Sequence, residues 1–206
     1  MQASRRLSSS IPQLIVKARL GDREALNELL RYYEPYLRRV ARSNMGPTLR
    51  KAHETADILQ EVLLTAAARF EKFQGIDEDE LLTWLRTLVA RKAVDMARYL
   101  SRSRRSPGGD AQLESLDAVS ERGAYPEIAA DQTSPSQGAA RRELQLKLAE
   151  ALEKLPDDEA DVIWMRHIEE MSFEAIGRRL GMGRNAVRAL WVRALKHLRE
   201  HLPDLL

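Results

Sequence analysis

Residues 172–202 read SFEAIGRRLGMGRNAVRALWVRALKHLREHL, and this stretch decides the fold class. Ser172 is placed to cap a short helix, its hydroxyl accepting from a backbone N–H two or three residues on. Phe173, Ile176 and Leu180 fall three and four apart and share one apolar face. Gly181 follows, where a helix end favours a left-handed residue. A second helix pattern starts at once. Val187, Leu190, Trp191, Ala194, Leu198 and Leu202 make its packing stripe. Arg184, Asn185, Arg188 and Val192 lie opposite, flanked by Arg193, Lys196 and Arg199. The stretch carries seven Lys or Arg against Glu174 and Glu200. This is the sequence form of a helix-turn-helix, whose second helix can enter a DNA major groove. Guanidinium and amide groups pair bidentately with guanine and adenine edges, and other cations rest on phosphates. The competing reading is an amphipathic hairpin with a solvated basic face.

The rest of the 206-residue chain bounds the options. It is rich in Leu, Ala, Arg and Glu, aromatics are 5%, and no alternating strand run is present, so the expected class is all-α. The absence of Cys excludes disulfide frameworks and Cys-based zinc sites. The longest apolar runs fall far short of a membrane span, and MQASRRLSSSIPQLI at the start lacks an apolar core of signal-peptide length. A cytoplasmic protein with no membrane association is expected. No glycine-rich phosphate loop or H-E-x-x-H pattern supports an enzyme. His197 and His201 are four apart but sit in a basic helix without a carboxylate cluster, so they read as solvated. No catalytic residue, metal or cofactor is expected.

The net charge of +2 hides an asymmetry. Residues 1–106 carry 20 basic and 13 acidic side chains, residues 107–140 carry one and six, and residues 141–206 carry twelve of each. Two small helical domains, 1–106 and 141–206, are therefore expected on either side of a flexible acidic linker, 107–140. In the first domain, Gly21-Asp22 breaks one helix and caps the next, Pro35 predicts a kink, and Gly46-Pro47 predicts a turn. Leu59, Val62, Leu63, Ala66 and Phe70 form the stripe of a following helix. Asp57, Gln60, Glu61 and Leu64 occupy another face of it. A loop over 73–80 ends in acids suited to a helix N-terminus. Beyond it Arg91, Arg98, Arg102 and Arg105 align down one side of a long helix.

Three segments then resemble, in order, the small two-domain extracytoplasmic-function (ECF) group of bacterial RNA polymerase sigma factors. They are GDREALNELLRYYEPYL at 21–37; TADILQEVLLTAAARFEKFQG at 55–75 with LLTWLRTLVARKAVDMARYLSRSRR at 81–105; and LEKLPDDEADVIWMRHIEEMSFEAIGRRLGMGRNAV at 152–187. The resemblance covers about three quarters of the chain and implies a factor that binds core polymerase and directs it to promoters. It implies that Asp57, Gln60, Glu61 and Leu64 dock on core polymerase (β′ and β subunits). It implies that Arg86, Arg91, Lys92, Arg98 and Arg102 contact the −10 strand, with the loop 73–80 holding an extruded base. It assigns Arg184, Asn185 and Arg188 to −35 base edges and Arg193, Lys196 and Arg178 to phosphates. The same resemblance implies promoter DNA as partner, makes an anti-sigma factor a further candidate partner, and lets the acidic linker thread the polymerase interior. Trp84 reads as a core aromatic, and Arg166 as structural or a DNA-backbone contact. This chain departs from the family in Gly183 for a capping Ser, Ala186 for Thr, Lys92 for Asn, and Gly177 for an Ala inside a helix, the last at about 1 kcal/mol. The alternative is a helix-turn-helix regulator acting without polymerase. It accounts for 141–206 but not for the Asp57–Glu61 face.

Overall fold

The computed structural model describes residues 11–104 and 135–201, and every element in them is helical. Helix α1 (Ile11–Arg19) ends before Gly21, whose φ of +91° lies in the region glycine adopts at little cost. Asp22 then caps α2 (Arg23–Asn44), its carboxylate accepting from the Glu24 and Ala25 amides at 3.0 and 3.1 Å. Pro35 does not divide α2, which runs on as one 22-residue helix. Buried side chains on both sides of the proline explain this. Leu29, Leu30 and Tyr33 before it and Tyr36, Leu37 and Val40 after it hold the helix in one piece. Helix α3 (Pro47–Ala52) opens on its proline, whose missing N–H costs nothing at a first helical position. Helix α4 (Thr55–Arg69) leads through a 3₁₀ turn (Phe70–Lys72) to α5 (Glu78–Arg104). Helix α2 is the hub, packed against α1, α4 and α5.

The remaining helices are α6 (Pro135–Leu152), α7 (Asp157–His167), α8 (Phe173–Leu180) and α9 (Arg184–His201). Helix α6 begins inside the stretch expected as linker; residues 105–134 of that stretch lie outside the described residues. Helices α6 and α7 both lie on α2. Tyr36 meets Trp164 edge to face at 5.7 Å. Asp161, buried on α7, receives Arg42 Nε at 2.8 Å and Arg50 Nη1 at 2.7 Å. Burial pulls the Arg50 pKa down, and the Asp161 carboxylate opposes that pull. Glu153 takes Arg38 at 3.0 Å and Arg39 at 2.9 Å.

A second buried carboxylate holds the C-terminal module together. Glu159, in the first turn of α7, accepts from Arg193 Nε and faces His197 Nδ1, both at 2.7 Å. His197 is thus an internal partner and not the solvated histidine expected. Burial alone would push the Glu159 carboxyl up, but the hydrogen bonds and charges of Arg193 and His197 bring it below the usual carboxylate range. A depressed carboxyl contributes stability that is complete above its unfolded value and is lost as pH falls through the folded one. Glu159→Gln is therefore expected to lower stability at neutral pH by about 1–3 kcal/mol. It should also flatten the loss of stability on acidification below about pH 4. Urea unfolding at both pH values reads both effects.

Gly177 is required rather than merely tolerated. A Cβ there would stand 2.6 Å from the Met182 carbonyl oxygen, because the turn folds back so that Met182 N donates to Gly177 O at 2.8 Å. This corrects the expectation that the glycine only weakens its helix. Gly177→Ala should cost about 1–3 kcal/mol, whereas helix propensity alone would have it gain about 1 kcal/mol. A fall in the thermal unfolding midpoint checks the sign.

Candidate functional site

The helix-turn-helix is set by local chemistry. Ser172 Oγ accepts from the Ala175 amide at 3.2 Å and opens α8. Gly181 closes it with φ +69°. Val187, Leu190, Ala194 and Leu198 bury the inner stripe of α9. The outer face presents Arg184, Asn185, Arg188 and Val192, all exposed, and Lys196 lies further along the same helix, also exposed. Arg178 is exposed on α8. Arg184 pairs with Glu174 at 2.9 Å, but both groups are solvated, so the pair is weak and easily exchanged. Arg193 differs. Its Nε is held by Glu159, which leaves only its Nη groups for a phosphate. Arg166 donates to Met171 O at 2.9 Å and lies 5.1 Å over the Phe173 ring, a structural role. Trp191 donates to His167 at 3.2 Å, and burial with the adjacent Arg166 charge lowers the His167 pKa, which favours the neutral ring that can accept that bond.

On α4 the buried side is Ile58, Leu59, Val62 and Ala66. The opposite side carries Asp57, Gln60, Glu61 and Leu64, all exposed. Leu64 is 64% exposed, an apolar side chain in water beside two carboxylates and an amide. Glu61 pairs with Lys92 of α5, so a residue expected on the −10 track buttresses this face of α4.

On α5, Arg91, Arg98 and Arg102 are exposed and follow one side. Arg86 is not free to join them. Its Nε donates to the Tyr36 hydroxyl and its guanidinium sits 5.3 Å over the Tyr36 ring, so it belongs to the stack between the modules. The guanidinium expected to contact a strand is thus engaged within the protein. Trp84 packs on Phe70 and Phe73 at 5.8 and 5.2 Å, as expected of a core aromatic. Tyr99, passed over in the sequence, is 68% exposed between Arg98 and Arg102. Its signal was an aromatic outside the apolar stripe.

The acidity of the loop before α5 has an internal explanation. Asp77 accepts from the Glu80 amide at 2.9 Å while Glu80 accepts from the Ile76 amide at 2.7 Å, a reciprocal cap. Glu78 accepts from the Tyr33 hydroxyl at 2.8 Å, and burial followed by the Glu78 charge pushes that hydroxyl up, so it remains a donor. Asp79 pairs with Arg142 of α6. Ile76 is left at the loop's tip, largely exposed. Among the described residues, no helix is long and apolar enough to cross a membrane.

The sequence is similar to those of several known proteins. The chain is 26% identical over 189 residues to the ECF RNA polymerase sigma factor SigD of Mycobacterium tuberculosis, covering 92% of this chain and 82% of that one. It is 25% identical over 197 residues to SigW of Bacillus subtilis, covering 95% and 98%. It is 24% identical over 181 residues to the ECF sigma-E factor of Escherichia coli, covering 88% of each. The model of the ECF sigma factor family matches residues 8–204, and the chain belongs to that family.

Proposed function

We propose that this protein binds core RNA polymerase and directs it to specific promoters, gripping them at two points. The observation that carries this reading is the exposed Asp57, Gln60, Glu61 and Leu64 face on one module of a chain whose other module is a helix-turn-helix. A regulator acting alone has no use for the first. Carboxylates and an amide around a solvated leucine suit an arginine-bearing, partly apolar partner surface. Residues 1–106 then serve docking and the −10 element, residues 141–206 serve the −35 element, and residues 107–140 join them. The relatives' names point to the same polymerase partnership. Such a factor is regulatory and works in the cytoplasm, where polymerase and promoter are. An anti-sigma factor is a further candidate partner.

On the −10 side, Arg91, Arg98 and Arg102 supply a basic track, and Tyr99 between them offers a ring on which an unpaired base can stack. Lys92 steadies Glu61. On the −35 side, Arg184, Asn185 and Arg188 meet base edges. Val192 supplies apolar surface for a thymine methyl, and Lys196, Arg178 and the Nη groups of Arg193 rest on phosphates.

Purified core polymerase should gain promoter-specific start sites when this protein is added; no new start site would overturn the reading. Asp57→Arg combined with Glu61→Arg should abolish core binding while leaving −35 duplex binding intact, as measured by pull-down and fluorescence anisotropy. Arg188→Ala should cost about 1–3 kcal/mol on the preferred −35 sequence and relax discrimination at one base pair. An equal loss on every sequence would make Arg188 a phosphate contact instead.

A further inference from the structure

We propose that Glu174 is a positioning residue for promoter reading, its carboxylate aiming Arg184 at the edge of a guanine in the upstream element. The inference rests on the −35 role proposed above for the helix-turn-helix and names one contact within it. Arg184 is the first residue of α9, and Glu174 lies in the first turn of α8. Arg184 Nε stands 2.9 Å from Glu174 Oε1. A guanidinium is a planar fork, so holding Nε sets the direction of the Nη pair at its far end. Nothing among the described residues is bonded to that pair. Two parallel N–H donors are the group that meets guanine O6 and N7 together.

The carboxylate is itself held in place. It accepts from the backbone amide of Glu174 and from the Ser172 hydroxyl, and the Arg184 and Arg178 charges lie near it. Its own amide, and after it the Arg184 charge, keep the Glu174 carboxyl below the usual carboxylate range. The turn between the helices is fixed as well, since Gly177 lets Met182 N donate to its carbonyl at 2.8 Å. In water a pair this exposed contributes little to stability. Its effect is on direction. Asn185 and Arg188, the other base-edge candidates, have no side-chain tether among the described residues. Gly183 and Ala186 bring no hydroxyl to the opening turn of α9. Arg184 therefore meets DNA already oriented, and ordering it there costs less rotamer freedom. Seating in a groove strips water from the pair, which strengthens its attraction. The same carboxylate repels phosphates on every sequence alike, so a duplex that offers no guanine to the fork gains nothing to offset the repulsion.

Core polymerase carrying this protein can be given a pool of promoter duplexes randomised across the upstream element, and the bound sequences counted. Arg184→Ala should erase a preference for guanine of about tenfold or more at one base pair. Glu174→Ala should cut that same preference about threefold or more, while binding to unmatched duplex stays equal or tightens. Glu174→Gln, which keeps the length and removes the charge, should fall between Glu174→Ala and the unaltered protein. In the Arg184→Ala background, Glu174→Ala should change no base preference. Helicity and the thermal unfolding midpoint check that the variants fold. A guanine preference that survives both Glu174 variants would overturn the inference. So would an equal loss on matched and unmatched duplexes, the mark of a merely structural residue. A further loss in the Arg184→Ala background would overturn it too, because the carboxylate would then be reading a cytosine amino group itself. Enrichment of no upstream motif by the unaltered protein would sink the −35 reading and the inference with it, whereas the other failures leave that reading standing.

Discussion

One buried carboxylate, Asp161, sets how the halves of this protein lie against each other. Removing a carboxylate from water costs several kcal/mol unless its oxygens are filled by donors. Arg42 and Arg50 fill them, and Arg50 is itself strapped in place. Its guanidinium donates to the carbonyls of Arg42 and Met45 at 2.8 and 2.9 Å, closing the end of α2 as it reaches Asp161. The turn at Gly46-Pro47 and the seat of α7 are thus fixed by the same side chain. The apolar contact beside it, Tyr36 on Trp164, supplies affinity but little direction. A buried ion pair contributes little net stability, so what Asp161 adds is orientation.

Parts of this architecture that depend on near neighbours were legible in the sequence. Asp22 and Ser172 cap because a side-chain oxygen reaches an amide two or three residues on, and Gly181 closes α8 because a left-handed residue was needed there. The exposed set at 57, 60, 61 and 64 follows from the buried set at 58, 59, 62 and 66 by helical period alone. Spacing says which way a side chain leaves its helix, not what arrives to meet it. Arg86 left on a plausible strand-contact face, but Tyr36 of α2 was waiting there. His197 left on a solvated face, where Glu159 of α7 was waiting. Gly177 was legible as a weak helix residue, and the carbonyl of Met182 that makes it necessary was not. Pro35 was read as a kink because its local cost is visible; the buried side chains on both sides of it, which keep α2 continuous, come from packing with other helices.

The same division bears on how the basic residues are used. A cation on a helix surface counts toward DNA affinity only if it releases a counterion on binding, and one already paired releases little. Of the seven Lys or Arg in 172–202, Arg179 is held by Glu169 and Arg193 by Glu159, and Arg184 is shared with a solvated Glu174. Four remain without an ion pair among the described residues: Arg178, Arg188, Lys196 and Arg199. A reader with few unpaired cations has a shallower salt dependence than one making many phosphate contacts. Occupancy of a promoter then depends on a second contact joined to the first through the intervening chain, where effective concentration replaces affinity. Such joint binding is strongest when the two modules are free to take the spacing of their sites. The arginines of α2 and α3 that pair with Glu153 and Asp161 are likewise engaged within the protein.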